Sequence, residues 1–399
     1  MMNHPRLANK YECTGCLACA DTCRQGAIKG RIDSEGHYSY EVDENKCVLC
    51  HMCEKVCPSI SDFEYGTNEL TKSDVNVAWS LDNKLRETST SGGVFSTLAK
   101  NVLEEGGVVV GAMQEQYLTR HCLIDNVNDL FLLQGSKYTQ SDTEGIFSEV
   151  KLQLANGKKV LFSGLGCQVA ALLSFLKNDK HIDKLLTVDL ICGGVPSSFL
   201  ITKYVEHTNI ESILSYRDKR RYVLTVKTKS GIIKSVPKNE RPLPIYGFTT
   251  GATNRYSCYA CKFAKGHRKS DITIGDYWGQ KFEIEERQKG LSVTIAHSSK
   301  GVKALEAVNI AKTTIGWKEI LMTNHRVVCG QAHVPSERKK LEIAFATYSF
   351  ERILELYANK GTWKRPWTMI KRGVRIIIYH YYKNVRKRDI YKILKENNL

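Results

Sequence analysis

The sequence predicts an α/β main domain, a mostly parallel sheet with an added antiparallel hairpin, preceded by a small α+β domain built on cysteines. Three observations predict it. Eight cysteines crowd the first 60 or so residues, strand-like and helix-like runs alternate from about residue 75, and two short β-rich runs flank a Ser-Gly turn. A chain of 399 residues is also too long for one ordinary core, so two or three domains are expected.

The first element is an internal repeat. Cys13, Cys16, Cys19 and Cys23 recur 34 positions later as Cys47, Cys50, Cys53 and Cys57. The spacing C-x2-C-x2-C-x3-C lets a tight loop present three thiolates to one face of an iron–sulfur cube while a distant cysteine closes the fourth corner. In two-cluster ferredoxins the last cysteine of each run serves the other cluster. Cys13, Cys16, Cys19 and Cys57 are therefore expected to hold one 4Fe–4S cluster, and Cys47, Cys50, Cys53 and Cys23 the second. Pro58 follows Cys57 as the pattern asks, whereas Arg24 follows Cys23. Structural zinc sites are the alternative, but zinc ribbons use two-cysteine knuckles rather than three-plus-one runs. Residues 1–62 thus read as a ferredoxin-like domain.

A polar linker is expected at about Asp62 to Asp74. Val75 to Trp79 then reads as a strand, Glu87 to Gly93 as a Ser/Gly loop, Val94 to Leu103 as a helix and Gly107 to Met113 as a strand, together one βαβ unit. Lys158 to Ser163, the turn Gly164-Leu165-Gly166-Cys167, the helix Val169 to Leu176 and the strand Leu185 to Ile191 read as another. Tyr222 to Thr228 and Ile232 to Val236 form the expected hairpin. A loop-rich stretch from Pro237 to Gly279 carries Cys258 and Cys261, and loops of that length usually have a function. Leu291 to Ala296 and Val302 to Val308 resume strand and helix. The main domain is placed at 75–340 and a helical basic tail at 341–399.

Composition restricts the class. Hydrophobic residues at 42% and charged residues at 25% suit a soluble globular protein. Met1 to Lys10 has no apolar h-region, and no apolar run approaches the roughly 18 residues of a membrane span, so a cytoplasmic protein is expected. In that setting fourteen cysteines point to metal or redox chemistry rather than disulfides. The net charge of +16 is uneven: residues 360–399 hold 12 Lys or Arg against Asp389 and Glu396, so the tail supplies +10 of it.

Two glycine-rich segments sit between strand and helix. Thr88-Ser89-Thr90-Ser91-Gly92-Gly93 offers backbone N–H groups and a helix dipole to a phosphate, or else a side-chain N-cap from Ser91 or a neighbour. Gly164-Leu165-Gly166-Cys167 lies where a dinucleotide fingerprint would, with Asp189 at ribose-contact distance, but Val169 occupies the third glycine position. A tight turn that presents Cys167 accounts for it better.

Seven segments in order resemble one family. They are Ser91-Gly92-Gly93; Gly135-Ser136-Lys137-Tyr138; Leu161-Phe162-Ser163-Gly164 with Cys167-Gln168; Ile191-Cys192 with Gly194-Val195-Pro196; Arg217-Asp218-Lys219-Arg220; Ser257-Cys258 with Cys261; and the run from Ser270 to Gly279. Over roughly residues 5 to 340 the chain resembles the coenzyme F420 hydrogenase/dehydrogenase β-subunit family. It departs from the family's pattern at Gly193, where many relatives have histidine, and at Leu165-Gly166, where Thr-Pro is usual.

The resemblance implies FAD, iron–sulfur clusters, and electron transfer between a one-electron donor and a two-electron organic substrate at the flavin. Family members include deazaflavin-reducing subunits and ferredoxin-dependent reductases of chlorophyll derivatives, and bacterial relatives often lie among surface-polysaccharide genes, so the substrate does not follow from membership. Ser91, Gly92 and Gly93 become candidates for the flavin phosphates, with Lys137, Tyr138 and Gln140 as further contacts. Asp218, Lys219, Arg220 and Asp276 are candidates to orient a substrate. Cys167 and Cys192 end neighbouring strands, and a loop bearing Cys258 and Cys261 would cap them, which makes these four the candidate ligands of a third 4Fe–4S cluster; buried unligated thiols are the alternative. The expected function is an iron–sulfur flavoprotein oxidoreductase fed by a donor such as ferredoxin. The alternative is a non-catalytic electron-relay subunit of a larger redox complex, with a cluster-bearing scaffold as a third class.

In the tail, Trp363, Trp367, Ile370, Val374, Ile377, Ile378, Tyr381 and Val385 share one helical face, and Arg365, Lys371, Arg372, Arg375, Lys383, Arg386 and Lys387 lie on the other side, with Arg388 alone in the apolar stripe. Such a helix either lies on an anionic membrane or packs its stripe on protein. Nucleic acid is the weakest option, since nothing else in the chain looks like a recognition module.

Overall fold

The computed structural model describes residues 4–219, 221–237, 240, 242–330, 333–358 and 390–398. Its first strands in chain order are β1 (Ile28–Ile32), β2 (Tyr38–Val42), β3 (Gly66–Thr67), β4 (Asp74–Ser80), β5 (Val108–Glu115), β6 (Leu118–Ile124), β7 (Ser141–Asp142) and β8 (Val160–Leu165). They continue with β9 (Leu185–Leu190), β10 (Ile210–Ser215), β11 (Val223–Thr228), β12 (Ile233–Pro237), β13 (His267–Arg268), β14 (Ile272–Asp276), β15 (Ser292–Ala296) and β16 (Ile310–Thr314).

The sequence repeat is also a conformational repeat. Backbone φ is positive at Gly15 and Leu17 and again at Leu49 and His51, each 34 positions later. Left-handed residues turn successive N–H groups toward the inside of a loop, which makes a cradle for anionic sulfur. Glycine adopts this freely, and at Gly15 a side chain would also collide with the Tyr38 carbonyl and Arg255. Short helices, Ala18–Asp21 and Met52–Val56, follow the two loops, and the antiparallel pair β1–β2 lies between them in sequence.

The main sheet has nine strands in the order β16-β4-β15-β14-β9-β8-β5-β6-β7. Strands β5, β8, β9 and β14 form a parallel block at its centre. Antiparallel pairs extend it through β15, β4 and β16 on one side and β6 on the other, with β7 parallel to β6. Val160 to Ser163 and Leu185 to Asp189 are buried without a break, the pattern of strands covered on both faces. β8, the helix Gly166–Phe175 and β9 form the expected unit of neighbouring parallel strands. β4 and β5 share the sheet but are separated by β15, β14, β9 and β8, because later strands insert between them.

The hairpin β11–β12 is present, but with β10 it makes a separate three-stranded sheet rather than an extension of the main one. Its inner face, Leu224 and Val226, packs on Tyr216, Ile201 and Val205, while Ile233, Lys234 and Ser235 of β12 are exposed.

Two sequence expectations are corrected. The segment read as a linker is packed: Tyr65 and Leu70 are buried, and β3 pairs with β13. The stretch read as loop-rich contains the helix Leu243–Thr250 and the buried strand β14, whose five residues are too few to show a period in sequence.

The cysteine-bearing N-terminal residues share a core with the main domain. Cys16, Ala18 and Val56 lie in one buried cluster with Phe147, Val169 and Phe263. The Asp21 carboxylate accepts from the amides of Gly145, Phe147 and Ser148 at 2.6, 2.9 and 3.2 Å, which caps the helix Ile146–Ala155 from outside. At the other end of the chain, Ile390 and Leu394 pack against Leu70 and Val75, and Asn397 Oδ1 accepts from the Leu70 amide at 2.8 Å. The amphipathic face from Trp363 to Val385, its basic side from Arg365 to Lys387, Arg388 and also Arg220 lie outside the described residues. No helix of the described residues is long and apolar enough to cross a membrane.

Candidate redox site

Cys13, Cys16, Cys19 and Cys57 line one small cavity together with Leu17 and Tyr40. Burial, followed by the nearby Cys57, pushes the Cys16 thiol up to about 12, and burial followed by Cys16, Cys13 and Cys57 raises Cys19 strongly. Such thiols ionise only when a cation replaces the proton, and iron does that. In the second loop Cys53 is pushed up to about 11, mainly by burial with Cys50 adding to it. Cys50 is exposed, and Cys23 and Cys47 are partly buried.

The main domain holds the first loop by its carbonyls. Gln140 Nε2 donates to Thr14 and Gly15 at 3.2 and 3.3 Å, Thr143 Oγ1 to Cys16 at 2.9 Å, and Arg255 Nη1 and Ser257 Oγ to Cys13 at 3.1 and 2.9 Å. Gln140, expected at a flavin, instead faces this loop and does not line the large cavity described below. Arg255, Thr143 and Ser257 escaped the sequence reading because their partners lie more than 120 residues away.

A second convergence joins Cys167, at the start of the helix Gly166–Phe175, Cys192 just after β9, Cys258 in the helix Tyr256–Tyr259, and Cys261. Burial raises Cys167 strongly, with Cys261, Cys192, Cys258 and then Cys16 raising it further. Cys192 is pushed up to about 11 and Cys258 to about 12, burial first and neighbouring thiols second, while the Arg326 and Arg268 guanidiniums oppose this at Cys192. Four thiols brought together from separate segments are a donor set that a cubic cluster takes. Among the described residues no three such ligands are spaced for a single metal ion.

Next to Cys192 lies a cavity of about 330 Å³. Its floor is the carboxyl end of the parallel block, Ser163 to Leu165 of β8, Leu190 of β9 and Ile274 to Asp276 of β14, where open α/β sheets bind ligands. Ser89, Thr90, Ser91 and Gly93 form one wall and Gly135 to Thr139 another. Tyr138 stacks on Phe248 with ring centroids 3.8 Å apart, and Tyr222 and Trp278 continue the aromatic surface. The Lys137 ammonium donates to the Gln134 carbonyl at 2.6 Å, and burial pulls it down to about 8.

The helix Val94–Glu104 opens into this cavity with Gly93 as N-cap and no side-chain cap, so the alternative of capping by Ser91 does not hold. Ser91 Oγ donates instead to the Leu291 carbonyl at 2.8 Å. The amide of Gly92 is taken by Ser292 Oγ, and Gly92 itself does not line the cavity. It is glycine because a side chain there would press on Ala78 and Ser292 of the sheet. Two buried polar atoms on lining residues, Thr119 Oγ1 and His121 Nδ1, have no hydrogen-bond partner among the described residues. Burial holds His121 neutral, lowering it to about 4.

Other expected residues fall differently. Asp276 lines the cavity but is bound by Arg217 Nη1 at 2.6 Å. Lys219 Nζ donates to the carbonyls of Arg86 and Ser89 at 2.6 and 2.8 Å, so it pins the Ser/Gly loop. Asp218 is exposed and pairs with Arg221. Asp189 does not reach a ribose position: it is fully buried, ion-paired with Arg268 at 2.9 Å and hydrogen-bonded by Tyr65.

The cysteine loops and the fold define an iron–sulfur redox protein, and a 4Fe-4S dicluster domain model matches residues 12–60. The models described as coenzyme F420 hydrogenase/dehydrogenase, beta subunit N-term and C terminus, match residues 75–147 and 157–318. The chain belongs to the coenzyme F420 hydrogenase/dehydrogenase β-subunit family. Among solved structures it is similar to a chain of the F420-reducing NiFe hydrogenase complex from Methanosarcina barkeri, with 16% identity over 71% of this chain and 94% of that one and a TM-score of 0.47, a likeness too slight to argue from. No curated protein sequence matches it significantly.

Proposed function

We propose that the protein is an iron–sulfur flavoprotein oxidoreductase in which electrons enter at the exposed second cysteine loop, pass the first cysteine group, and leave through the large cavity to an organic substrate. The observation that carries this reading is Cys192: it belongs to the four-thiol group and also lines the cavity. Cys16 in turn lies close enough to Cys167 to raise it, so the cysteine groups form a connected series.

Cys167, Cys192, Cys258 and Cys261 are proposed to hold a third 4Fe–4S cluster. FAD is proposed for the cavity, where the uncapped helix start, Ser91, Gly93 and Lys137 suit phosphate and Tyr138 suits a ring. Bound together, the clusters would supply single-electron transfer and FAD the interchange between single electrons and pairs. The chain's own part is to bind, orient and exclude water. Lys219 and Ser136, whose amide donates to Thr90 Oγ1 at 2.9 Å, hold the phosphate wall in shape. A ferredoxin-type protein is proposed as donor.

Anaerobic reconstitution tests this directly: about twelve irons and one FAD per chain are expected, since three cubes hold four irons each. Iron at about eight removes the third cluster, and failure of any flavin to bind leaves only an electron relay.

Lys137 makes flavin binding pH-dependent. It is charged below about 8 in the free protein, and a bound phosphate favours the charged form. Affinity for FAD should therefore be nearly full at pH 7 and fall by up to about tenfold per unit as pH rises above about 8, until the raised pKa of the complex is reached. In a fluorescence titration a flat profile between pH 7 and 9.5 would place Lys137 away from the phosphates.

For the tail we propose peripheral contact with an anionic membrane, each basic residue near the surface adding roughly 1 kcal/mol. Co-sedimentation with anionic liposomes should be lost when Arg365, Lys371, Arg372, Arg375, Lys383, Arg386 and Lys387 are replaced by glutamine, which leaves Ile390, Leu394 and Asn397 in place; binding that is unchanged, or absent from both proteins, would mean that this face does not meet lipid.

A further inference from the structure

The cavity has two cations that no acid of the described chain neutralises. Asp276, the one acid among its described lining residues, is already held by Arg217. Lys137 lies at the Ser/Gly-loop end and donates only to carbonyls. Arg326 lies beside Gly193, where it acts electrostatically on Cys192 and Tyr222.

Arg326 is built into that position. It opens the short helix Arg326–Cys329, and the preceding Asn324 fixes the segment by donating its side-chain amide to the Asp276 carbonyl at 2.9 Å. Its guanidinium fills the space above Gly193, so a side chain at 193 would displace it, and Phe248 lies beside the same position. Arg326 is half-buried and lines the cavity, and its guanidinium makes no hydrogen bond or ion pair among the described residues. A guanidinium removed from water in part and left without acceptors is unfavourable, and its planar fork is matched by an oxyanion with two oxygens to offer.

We propose that Arg326 binds an oxyanion of the organic substrate, a carboxylate or a phosphate, and so places the reacting part of that substrate between Cys192 and the aromatic wall of Tyr138, Tyr222 and Phe248. This rests on the cavity being the exit for electrons, but not on which flavin occupies it. The Gly193 position then acts as a specificity determinant: glycine there leaves the fork room to reach the ligand.

Calorimetric titration of the full-length, anaerobically reconstituted protein with inorganic phosphate and, separately, with benzoate tests the assignment and tells which anion class is taken. Flavin content is measured first on the same samples, so a failure to load flavin counts against the flavin reading alone, and the titrations are repeated without flavin. At least one of the two anions should bind, Arg326→Ala should weaken it about ten- to a hundredfold, and Arg326→Lys should recover part of the loss by keeping the charge without the fork. Iron content and unfolding midpoint of each variant establish that it is folded. Binding by Arg326→Ala as tight as by the unaltered protein overturns the proposal, and so does the absence of binding of both anions to the unaltered protein.

Discussion

Cys192→Ser is expected to lower the iron content from about twelve to about eight per chain and to reduce electron delivery to any cavity-bound acceptor to background, while the absorbance of the two N-terminal clusters persists. The effect is large because Cys192 stands at the boundary: its sulfur belongs to the four-thiol group and its neighbours Gly193 to Pro196 line the cavity. Serine keeps the shape but not the soft thiolate that iron requires. The measurements are iron per chain and the rate at which a low-potential dye reduces a soluble acceptor. Iron unchanged in the variant would mean that Cys192 ligates nothing, and an unchanged rate would mean that electrons leave elsewhere.

Asp189→Ala should be the most destabilising single change that removes no cysteine. Asp189 accepts from Arg268 Nη1, from the Tyr65 hydroxyl and from Thr273 Oγ1, and Asp189, Arg268, Tyr65 and Thr273 are all buried. Removing the carboxylate leaves the buried guanidinium with the carbonyls of Lys265, Leu190 and Val327 but no compensating charge, and breaking a buried pair in this way costs about 3–5 kcal/mol. The Thr273 hydroxyl also meets His297 Nε2, and the same ring's Nδ1 reaches Ser73 and through it His267, so the loss would spread from β9 across β14 to the segment before β4. Urea unfolding of the holoprotein should show a clearly lowered midpoint, and Asn at 189 should recover part of it by accepting one of the hydroxyls. A midpoint equal to that of the unaltered protein would mean that the carbonyls of Lys265, Leu190 and Val327 hold Arg268 without the carboxylate.

The contrast between Asp189 and the N-terminal cysteines shows what each level of structure decides. The sequence alone determined the two cysteine loops, their duplication, the interleaving of Cys57 with Cys13, Cys16 and Cys19, and the strand-turn-helix around Cys167. These depend on spacing over a few residues, or on a repeat, and short-range spacing is set by bond geometry and the allowed backbone conformations. Asp189 looked like a ligand contact from its distance along the chain, and Gln140 looked like a flavin contact from its motif. Which side of a strand or loop a side chain takes depends on what packs there, and that was decided by Arg268 in one case and by the Cys13–Cys16 loop in the other.

Tertiary structure alone decided the position of the cavity, the insertion of β8, β9, β14 and β15 between β4 and β5, the separate sheet of β10 to β12, and the placing of Arg326 over Gly193. None of these has a local signal. Arg326 is 133 positions from Gly193 and 134 from Cys192, and its role exists only because the chain after β16 returns to the carboxyl edge of β9 and β14. Burial and charge pairing at such contacts are properties of segments that meet in space, which the order of residues along the chain does not encode one position at a time.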